Sequence, residues 1–361
     1  MLPDQSFWRS RRVLLTGHTG FKGAWLLLWL LELGAEVWGY ALEAEPEPNL
    51  FRLLQPSFGP RFHHHEADLA DREVLSEWVR QANPEVVLHL AAQPLVRQSY
   101  VDPLGTWATN VMGSLHLLEA LKPLDQRCAV VLVTTDKVYA NQEWAYGYRE
   151  NDPLGGRDPY SASKAGAEIA IASWRASFCG SSAHQSPHLA IATARAGNVI
   201  GGGDWAADRI VPDAMRALAA GQPIAVRNPN ATRPWQHVLE PLGSYLLLAE
   251  RLATSAEPPT EAFNFGPTLA SNRPVRQLVE SMLVHWPGSW VDQSDPAALH
   301  EANLLHLQID KAHHQLGWSP RWDYGQTIAR TVGWYRAVDE GGSALECCLK
   351  DLACYQKTNW E

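Results

Sequence analysis

Short apolar runs alternate with helical patterns through the first half of the chain. The runs RVLLTG, EVWGYAL, EVVLHLAA and AVVLVTT predict strands, whereas GAWLLLWLLELG predicts a buried helix that ends at Gly34. Segments 71–83, 107–121 and 160–178 also have helical spacing. Strands that alternate with helices in this way imply βαβ units and a parallel sheet that helices cover on both faces.

The alternation of predicted strands and helices stops after the run LAIATARAGNVIG. The segments GGGDWAADRIVP, RNPNATRPWQHV and SAEPPTEAFNFGP are rich in glycine, proline and asparagine, which favour loops. We therefore predict an α/β fold, with a Rossmann-like doubly wound parallel sheet over residues 1–195 and a smaller, mixed C-terminal substrate-binding domain over residues 196–361. Residues 235–262 are predicted to return to the first domain.

Composition narrows the possible functions. The chain has 361 residues with 30 basic and 39 acidic side chains, a net charge of −9, so nucleic acid is not an expected partner. The longest apolar run, Ala24 to Leu31, is too short to span a bilayer, and no secretory pattern leads the chain. Five cysteines without metal spacing fit a reducing cytoplasm. We interpret the triplet at residues 63–65 as a polar loop and predict no metal site.

A glycine-rich turn follows the first predicted strand. In VLLTGHTGFKG, Gly17, Gly20 and Gly23 stand between a strand and a helix, where backbone amides approach a pyrophosphate at the helix N-terminus. The spacing is G-x-x-G-x-x-G rather than G-x-G-x-x-G, so its position along the chain carries the prediction. Glu43 lies where a ribose-binding acid is expected, and the loop after the second strand has no basic residue for a 2′-phosphate, which favours NAD over NADP. Asp68 is a further candidate, for the adenine edge.

A tyrosine and a lysine stand four residues apart in YSASK. Tyr160 and Lys164 therefore share one face of the predicted helix. A phenol has an ordinary pKa of about 10, and a neighbouring ammonium favours the phenolate, so the pair suits removal of an alcohol proton during hydride transfer. Thr134 or Thr135 can supply a hydroxyl group beside the pair.

An acidic and a basic residue follow the run AVVLVTT directly. Asp136 and Lys137 stand just past a strand end, where the sites of parallel sheets form. An elimination needs a base at one carbon and an acid at the leaving oxygen. Asp136 is a candidate for the acid and Lys137 for the base, and which of the two is the base stays open, because a lysine has an ordinary pKa of about 10.4 and acts as a base only where its surroundings lower that value.

Five stretches together carry a family resemblance. TGHTGFKGAWL, TTDKVY, YSASK, RAGNVIGGGDW and RPWQHVLEPLGSYL resemble the extended short-chain dehydrogenase/reductase family, and within it the 4,6-dehydratases of nucleotide sugars. The resemblance covers nearly the whole chain, and DKVY and RPWQHVLEP are its most specific parts. It implies CDP-glucose as substrate, NAD as cofactor, a cytoplasmic homodimer without a membrane partner, and a role in making deoxysugars for surface polysaccharides such as O-antigen.

The resemblance also implies roles for individual residues. The implied catalytic set is Thr135, Asp136, Lys137, Tyr160 and Lys164. The implied cofactor-binding set is Gly17, Thr19, Gly20, Phe21, Lys22, Gly23, Asp68, Leu69, Leu90, Ala91, Ala92, Thr109, Tyr160 and Lys164. The implied substrate-binding set is Gln93, Asn198, Arg209 and Arg233, of which the last three are expected at the nucleotide diphosphate. Related dTDP-sugar enzymes use an Asp-Glu pair where this chain has Asp136 and Lys137.

Several alternatives remain at this point. A nucleotide-sugar 4-epimerase of the same fold keeps the glycine turn, Tyr160 and Lys164 but has no use for Asp136 and Lys137. A dehydratase that acts on another nucleotide hexose shares every motif above. An NADP-dependent carbonyl reductase would consume its cofactor, and a non-catalytic NAD sensor has no need of the Tyr160–Lys164 pair.

Overall fold

A seven-stranded sheet organises the chain in this computed structural model, which describes residues 1–45, 47–179, 186, 188–295 and 304–358. The sheet strands are β1 (Arg12–Thr16), β2 (Glu36–Ala41), β3 (Phe62–Glu66), β4 (Val86–His89), β5 (Cys128–Val133), β6 (Leu189–Ala196) and β11 (Ala262–Phe265). Their order is β11-β6-β5-β4-β1-β2-β3, and every neighbouring pair is parallel. This order contains the 3-2-1-4-5-6 arrangement of a doubly wound dinucleotide-binding sheet, which confirms the predicted fold class.

The remaining elements are helices and short strand pairs. The helices are α1 (Gln5–Trp8), α2 (Phe21–Glu32), α3 (Leu50–Leu54), α4 (Arg72–Ala82), α5 (Val96–Val101), α6 (Pro103–Trp107), α7 (Ser114–Leu121), α8 (Pro159–Phe178), α9 (Ile210–Ala219), α10 (Leu239–Thr254), α11 (Val275–His285), α12 (Asp310–Leu316), α13 (Tyr324–Asp339) and α14 (Ala344–Lys357). The short strands are β7 (Val199–Ile200), β8 (Ile224–Val226), β9 (Thr232–Pro234), β10 (Gln236–His237), β12 (Asn272–Pro274) and β13 (Trp290–Asp292). A π-helical stretch, Ala108–Gly113, joins α6 to α7 within the predicted helix 107–121.

The alternation of strand side chains divides the interior into two cores. Val13 and Leu15 of β1 pack into the larger core, with α2 and α10. Leu14, between them, packs into the second core, with α4, α7 and α8. Successive side chains of a strand point to opposite faces, so strands that are apolar throughout require cover on both sides. The near-continuous apolar runs in the sequence follow from this arrangement.

Residues after β6 contribute both to the seven-stranded sheet and to the structure outside it. Helix α10 packs on β4, β5 and β6, and β11 extends the sheet beyond β6. The strand of the segment RPWQHV behaves differently, because β10 pairs with β7 and stays outside the main sheet. The chain thus rejoins the sheet through residues 239–254 and 262–265. The division at residues 195 and 196 stays a prediction.

The histidine triplet is a strand, so its interpretation as a polar loop was wrong. Residues 63–65 lie in β3, at the edge of the sheet. His63 stacks on Trp38 at a ring distance of 4.2 Å, whereas His64 points to the other face and lies 2.7 Å from His18 between ring nitrogens. The histidine side chains alternate between the two faces of the sheet and pack on aromatic rings. These contacts stabilise an edge strand that has a polar sequence.

No helix among the described residues is long and apolar enough to cross a membrane.

Candidate active site

The glycine turn is closed against the neighbouring strand. Gly17 has φ +76°, a conformation that favours glycine, and a methyl group there would lie 2.6 Å from the backbone nitrogen of Ala91. A methyl group on Gly23 would lie 2.0 Å from the carbonyl oxygen of Gly17. Gly20 precedes the first residue of α2. The turn therefore brings bare backbone to the N-terminus of a helix, which is a cradle that fits a dinucleotide pyrophosphate.

The other predicted cofactor residues lie at the carboxyl edge of the sheet. Asp68 and Leu69 follow β3, and Leu90, Ala91 and Ala92 follow β4. Thr19 donates to the carbonyl oxygen of Leu42 after β2, Phe21 and Lys22 begin α2, and Thr109 lies in the π-helical stretch. The exposed carboxylate of Asp68 caps its own loop by accepting from the backbone N–H of Ala70. The fold thus gathers these residues around one edge, as the Rossmann arrangement requires.

The expected ribose-binding acid has a basic partner. Glu43 is exposed, and its carboxylate accepts from the Arg52 guanidinium at 2.9 Å. Arg52 also contacts Glu47 at 2.6 Å. The loop after β2 itself contains no basic residue, but α3 brings the Arg52 guanidinium back against it. The two acids nevertheless occupy that guanidinium.

The turn after β5 buries a carboxylate against an ammonium. Asp136 is fully buried, and its Oδ1 accepts from the Thr135 hydroxyl at 3.0 Å and from Lys137 Nζ at 3.3 Å. Its other oxygen, Oδ2, has no hydrogen-bond partner within the described chain. The backbone N–H of Lys137 donates to Thr135 Oγ1, which starts the short 3-10 turn 136–138. The turn thus holds a fully buried carboxylate against a partly exposed ammonium.

One face of helix α8 carries both Tyr160 and Lys164. Asp158 caps the helix, and Tyr160 and Lys164 are both buried. Burial raises the pKa of the Tyr160 phenol, while Lys137 and a hydrogen bond with Thr135 oppose that increase. Burial lowers the pKa of Lys164 to about 8, and its ammonium donates to the carbonyl oxygen of Val133 at 3.3 Å. We expected Lys164 to lower the pKa of Tyr160, whereas Lys137 is the strongest opposing charge and burial outweighs it.

Thr135, rather than Thr134, is the hydroxyl residue of this site. Thr135 reaches both Tyr160 and Asp136. Thr134 Oγ1 instead donates to Glu168 Oε1 at 2.5 Å, below the site. The two alternatives that the sequence left open are thereby separated by the direction of their side chains, because neighbours on an extended segment point to opposite faces.

Cationic side chains surround the buried carboxylate. Burial lowers the pKa of Lys22 to about 8, and the positive charges of Arg209, Lys164 and Lys137 contribute, while Asp136 opposes them. Lys22, in the first turn of α2, is therefore near enough to Asp136, Lys137 and Lys164 to sense their charges. A cluster with several cations and one carboxylate suits an anionic, diphosphate-bearing ligand.

The predicted substrate residues differ in how their side chains are engaged. Arg209 precedes α9 and contacts the buried Asp204 at 2.9 Å. Asn198 lies after β6, and its Oδ1 is buried with no hydrogen-bond partner within the described chain. Arg233 lies in β9, opposite Arg273 of β12. Gln93 is used internally, since its amide bonds Thr106 and both backbone groups of Leu95.

Two contacts of the site escaped the sequence analysis. A methyl group on Gly197 would lie 2.7 Å from Asp136 Oδ2, so backbone packs directly on that oxygen. Glu168 continues the face of α8 that carries Tyr160 and Lys164. The spacing of four residues between Lys164 and Glu168 was a visible signal for the second contact, whereas the contact of Gly197 depends on tertiary structure alone.

The fold and the site define a nucleotide-sugar-modifying enzyme of the short-chain dehydrogenase/reductase type. Residues 14–257 match the profile of the GDP-mannose 4,6 dehydratase family, and the chain belongs to this family. The chain is 45% identical over 354 residues to the CDP-glucose 4,6-dehydratase of Salmonella typhimurium, and the match covers 98% of both chains.

Solved structures share the fold at low sequence identity. A dTDP-glucose 4,6-dehydratase from Streptomyces venezuelae matches with a TM-score of 0.77 and 23% identity, over 92% of this chain and 99% of that one. A UDP-glucose 4-epimerase from Thermotoga maritima matches with a TM-score of 0.76 and 21% identity, over 90% and 99%. A dehydratase and an epimerase fit equally well, so overall shape does not separate the two activities.

Proposed function

We propose that this protein dehydrates CDP-D-glucose to CDP-4-dehydro-6-deoxy-D-glucose, with NAD as its cofactor. The observation that carries the proposal is the ion pair between the fully buried Asp136 and the partly exposed Lys137, held 3.3 Å apart beside Tyr160 and Thr135. An acid and a base paired at the end of a sheet strand have a use in an elimination and none in a simple epimerisation. The close relative with CDP-glucose 4,6-dehydratase activity supports the choice of substrate.

The Tyr160–Thr135 contact serves the first half of the reaction. NAD, when bound, accepts a hydride from C4 of the sugar and later returns it to C6. Tyr160 takes the proton of the C4 hydroxyl, and Thr135 and Lys137 favour the phenolate that this step requires. Lys164, on the same face of α8, adds a positive charge beneath the site. Burial of these groups strengthens their interactions because water does not screen them.

The Asp136–Lys137 pair serves the second half. Oxidation at C4 acidifies the C5 proton, so a base at C5 and an acid at the C6 oxygen complete the loss of water. For this step the proton of the Lys137 ammonium passes to Asp136, so that neutral Lys137 takes the C5 proton and protonated Asp136 donates to the C6 oxygen. Thr135 and Lys137 both donate to Oδ1, so Oδ2 is the oxygen that can carry the acidic proton. The cofactor ends as it began, and the net reaction is the loss of one water.

The cations near the site supply recognition of the diphosphate. Arg209, Arg233 and Lys22 are assigned to anionic oxygens, and the buried, unpaired Oδ1 of Asn198 to a donor on the ligand. Gln93 retains a backbone-positioning role as well as its assignment near the substrate, because its amide already bonds Leu95 and Thr106.

Turnover of a nucleotide-sugar panel tests the proposal. The enzyme is incubated with NAD and CDP-, dTDP-, GDP- or UDP-glucose, and the 4-keto-6-deoxy product is followed by mass spectrometry. We expect loss of one water from CDP-glucose and slower reaction of the others. Formation of a CDP-linked C4 epimer without loss of water would establish the epimerase instead. Preference for another nucleotide would retain the chemistry and replace the substrate.

We also propose that two copies form a homodimer through α5, α6 and α8. Large apolar side chains on neighbouring helices of this region remain exposed: Val101, Leu104, Trp107, Met112 and Ile169. Contiguous exposed apolar surface marks an interaction site, and a two-fold axis brings the same patch of both copies together.

Light scattering after size exclusion should give twice the chain mass, and Leu104→Asp combined with Ile169→Asp should give the monomer. A monomeric parent protein would contradict this assembly.

Location and pathway are proposed on chemical grounds. The five cysteines are free thiols, which fits a reducing cytoplasm. A 4-keto-6-deoxy sugar nucleotide is a precursor of deoxysugars, so we assign the enzyme to their synthesis for surface polysaccharides, including lipopolysaccharide. Loss of deoxysugars from such polysaccharides in a deletion strain is the expected outcome, and unchanged sugar composition would contradict it.

A further inference from the structure

Glu168 extends the catalytic face of α8 into the interior. Tyr160, Lys164 and Glu168 are spaced by four residues, so they lie one above another on the helix. Glu168 is almost completely buried. Burial alone would raise the pKa of this carboxyl, but Arg195, Thr134 and Thr193 donate to it and hold its pKa below the ordinary value. The carboxylate is therefore a charged group beneath the site.

The carboxylate joins the helix to two strands. Thr134 of the segment after β5 donates to Oε1 at 2.5 Å, and Thr193 of β6 donates to Oε2 at 2.9 Å. Arg195 of β6 forms an ion pair with Oε2 at 2.7 Å. A buried ion pair contributes little to stability by itself, because desolvation offsets its attraction. Stability therefore does not explain why Glu168 is bonded to Thr134, Thr193 and Arg195.

The same network holds the catalytic turn at both of its ends. Thr134, immediately before the turn 135–138, is bonded to Glu168. Tyr139, immediately after the turn, accepts from Arg195 at 2.8 Å and donates to Asn264 Oδ1 at 2.6 Å. Asp136 and Lys137 thus lie between two residues, Thr134 and Tyr139, that are each bonded to one member of the Glu168–Arg195 ion pair. Glu168 belongs to α8, the helix that also contains Tyr160 and Lys164.

We propose that Glu168 is a positioning residue that fixes the elimination pair, Asp136 and Lys137, relative to the oxidation pair, Tyr160 and Lys164. The two half-reactions act on neighbouring carbons of one sugar, so their catalytic groups must hold a constant separation. A misplacement of about 1 Å costs on the order of 10²-fold in rate. The inference rests on the proposed dehydration, and it assigns to Glu168 no contact with the substrate.

Two threonines provide a matched comparison. Thr134→Val and Thr193→Val each remove one hydroxyl that donates to Glu168, but only Thr134 lies on the segment that leads into the catalytic turn. We expect Thr134→Val to slow elimination about tenfold to a hundredfold relative to C4 oxidation, and Thr193→Val to leave that ratio unchanged. Single-turnover absorbance of reduced nicotinamide gives the oxidation rate, and C5 solvent-deuterium exchange gives the elimination rate. Both are measured where circular dichroism shows folded protein.

Glu168→Gln separates charge from position. The groups that face Lys164 are Glu168 on α8, Lys22 on α2 and the buried His89 on β4, whose pKa burial lowers to about 3. Glu168 supports the charged form of Lys164, so its removal should lower the pKa of Lys164. The alkaline limb of the oxidation rate should then move to lower pH in Glu168→Gln and stay in place in Thr134→Val.

Hydrogen exchange provides a readout that needs no substrate. Amides of residues 135–139 should exchange faster in Thr134→Val than in Thr193→Val. Equal exchange, together with an equal ratio of elimination to oxidation in the two variants, would overturn the positioning role. A parent enzyme that fails to convert CDP-glucose would instead overturn the proposed function, and the exchange comparison would still decide whether Glu168 holds the turn.

Discussion

Asp136 and Glu240 are both fully buried carboxylates, and they are surrounded in opposite ways. Both oxygens of Glu240 are bonded, by the backbone N–H groups of Arg321 and Trp322 and by the Tyr355 hydroxyl at 2.9 Å. Among the described residues, only one oxygen of Asp136 has a hydrogen-bond partner, and the other faces Gly197.

The difference separates a structural acid from the acid that we propose for catalysis. Glu240 ties α10 to the segment before α13 and to α14, and burial raises its pKa to about 7. The donors that hold it are parts of the fold, so it has no bond left for a ligand. Asp136 is held by Thr135 and Lys137 and keeps an oxygen unsatisfied, which is costly in a buried site and is retained where chemistry uses it.

The largest effect should come from the unsatisfied oxygen. Asp136→Asn keeps Oδ1 as an acceptor for Lys137 but removes the acid, so we expect dehydration to fall on the order of 10²–10⁴-fold with little change in the unfolding midpoint. The absorbance of reduced nicotinamide should rise in a single turnover and persist, because oxidation still proceeds. Lys137→Met should lose C5 exchange and also accumulate reduced nicotinamide, but more slowly than Asp136→Asn, because Tyr160 loses the charge that most favours its phenolate. Normal turnover by both variants would make the pair a structural feature like Glu240.

A methyl group at Gly197 tests whether the unbonded oxygen of Asp136 must keep its position, as the comparison with Glu240 implies. Gly197→Ala places a carbon 2.7 Å from Asp136 Oδ2, closer than van der Waals contact allows, so the turn must shift. We expect a rate loss on the order of 10²-fold. Gly333→Ala is the control, because a methyl there meets nothing within 4 Å in α13 and should stabilise the helix by about 1 kcal/mol. An active Gly197→Ala enzyme would show that the oxygen tolerates displacement.

Glu240→Gln should affect stability and leave chemistry unchanged. The amide turns a donor toward groups that already donate, so unfolding free energy should fall by about 1–3 kcal/mol. Urea unfolding measures this change, and kcat per folded molecule should match the parent value. A large loss of kcat without a change in unfolding would move Glu240 into the catalytic machinery.

The smallest effect is a dependence of stability on pH. Glu240 ionises near its ordinary pKa of about 4.3 when unfolded and near 7 when folded, so the folded state holds the proton between these values. This group therefore contributes a stability that declines as pH rises from about 4.3 to 7. Glu250, whose pKa burial also raises to about 7, contributes with the same sign. Glu240→Gln should flatten part of this decline in urea unfolding at several pH values, and parallel curves would contradict the assignment.

Local patterns were sufficient for the sheet and for the order of the site along the chain. The glycine turn, Asp136–Lys137 and Tyr160–Lys164 were visible because turn chemistry, strand ends and helical spacing are local properties. The histidine strand was missed because its side chains pack on Trp38 and His18, which are distant in sequence. The guanidinium beside Glu43 was missed because Arg52 returns to that loop through a helix.

The sequence by itself was sufficient to predict the groups of the candidate site and the strand or helix that carries each of them. Tertiary structure decided that Thr135 rather than Thr134 faces Tyr160, that Lys137 rather than Lys164 most strongly offsets the burial of that phenol, and that Glu168 lies beneath them. The physical reason is that spacing sets the face of one element, whereas hydrogen bonding, burial and charge depend on distances between elements. Those distances arise only when the strands and α8 pack around a common core.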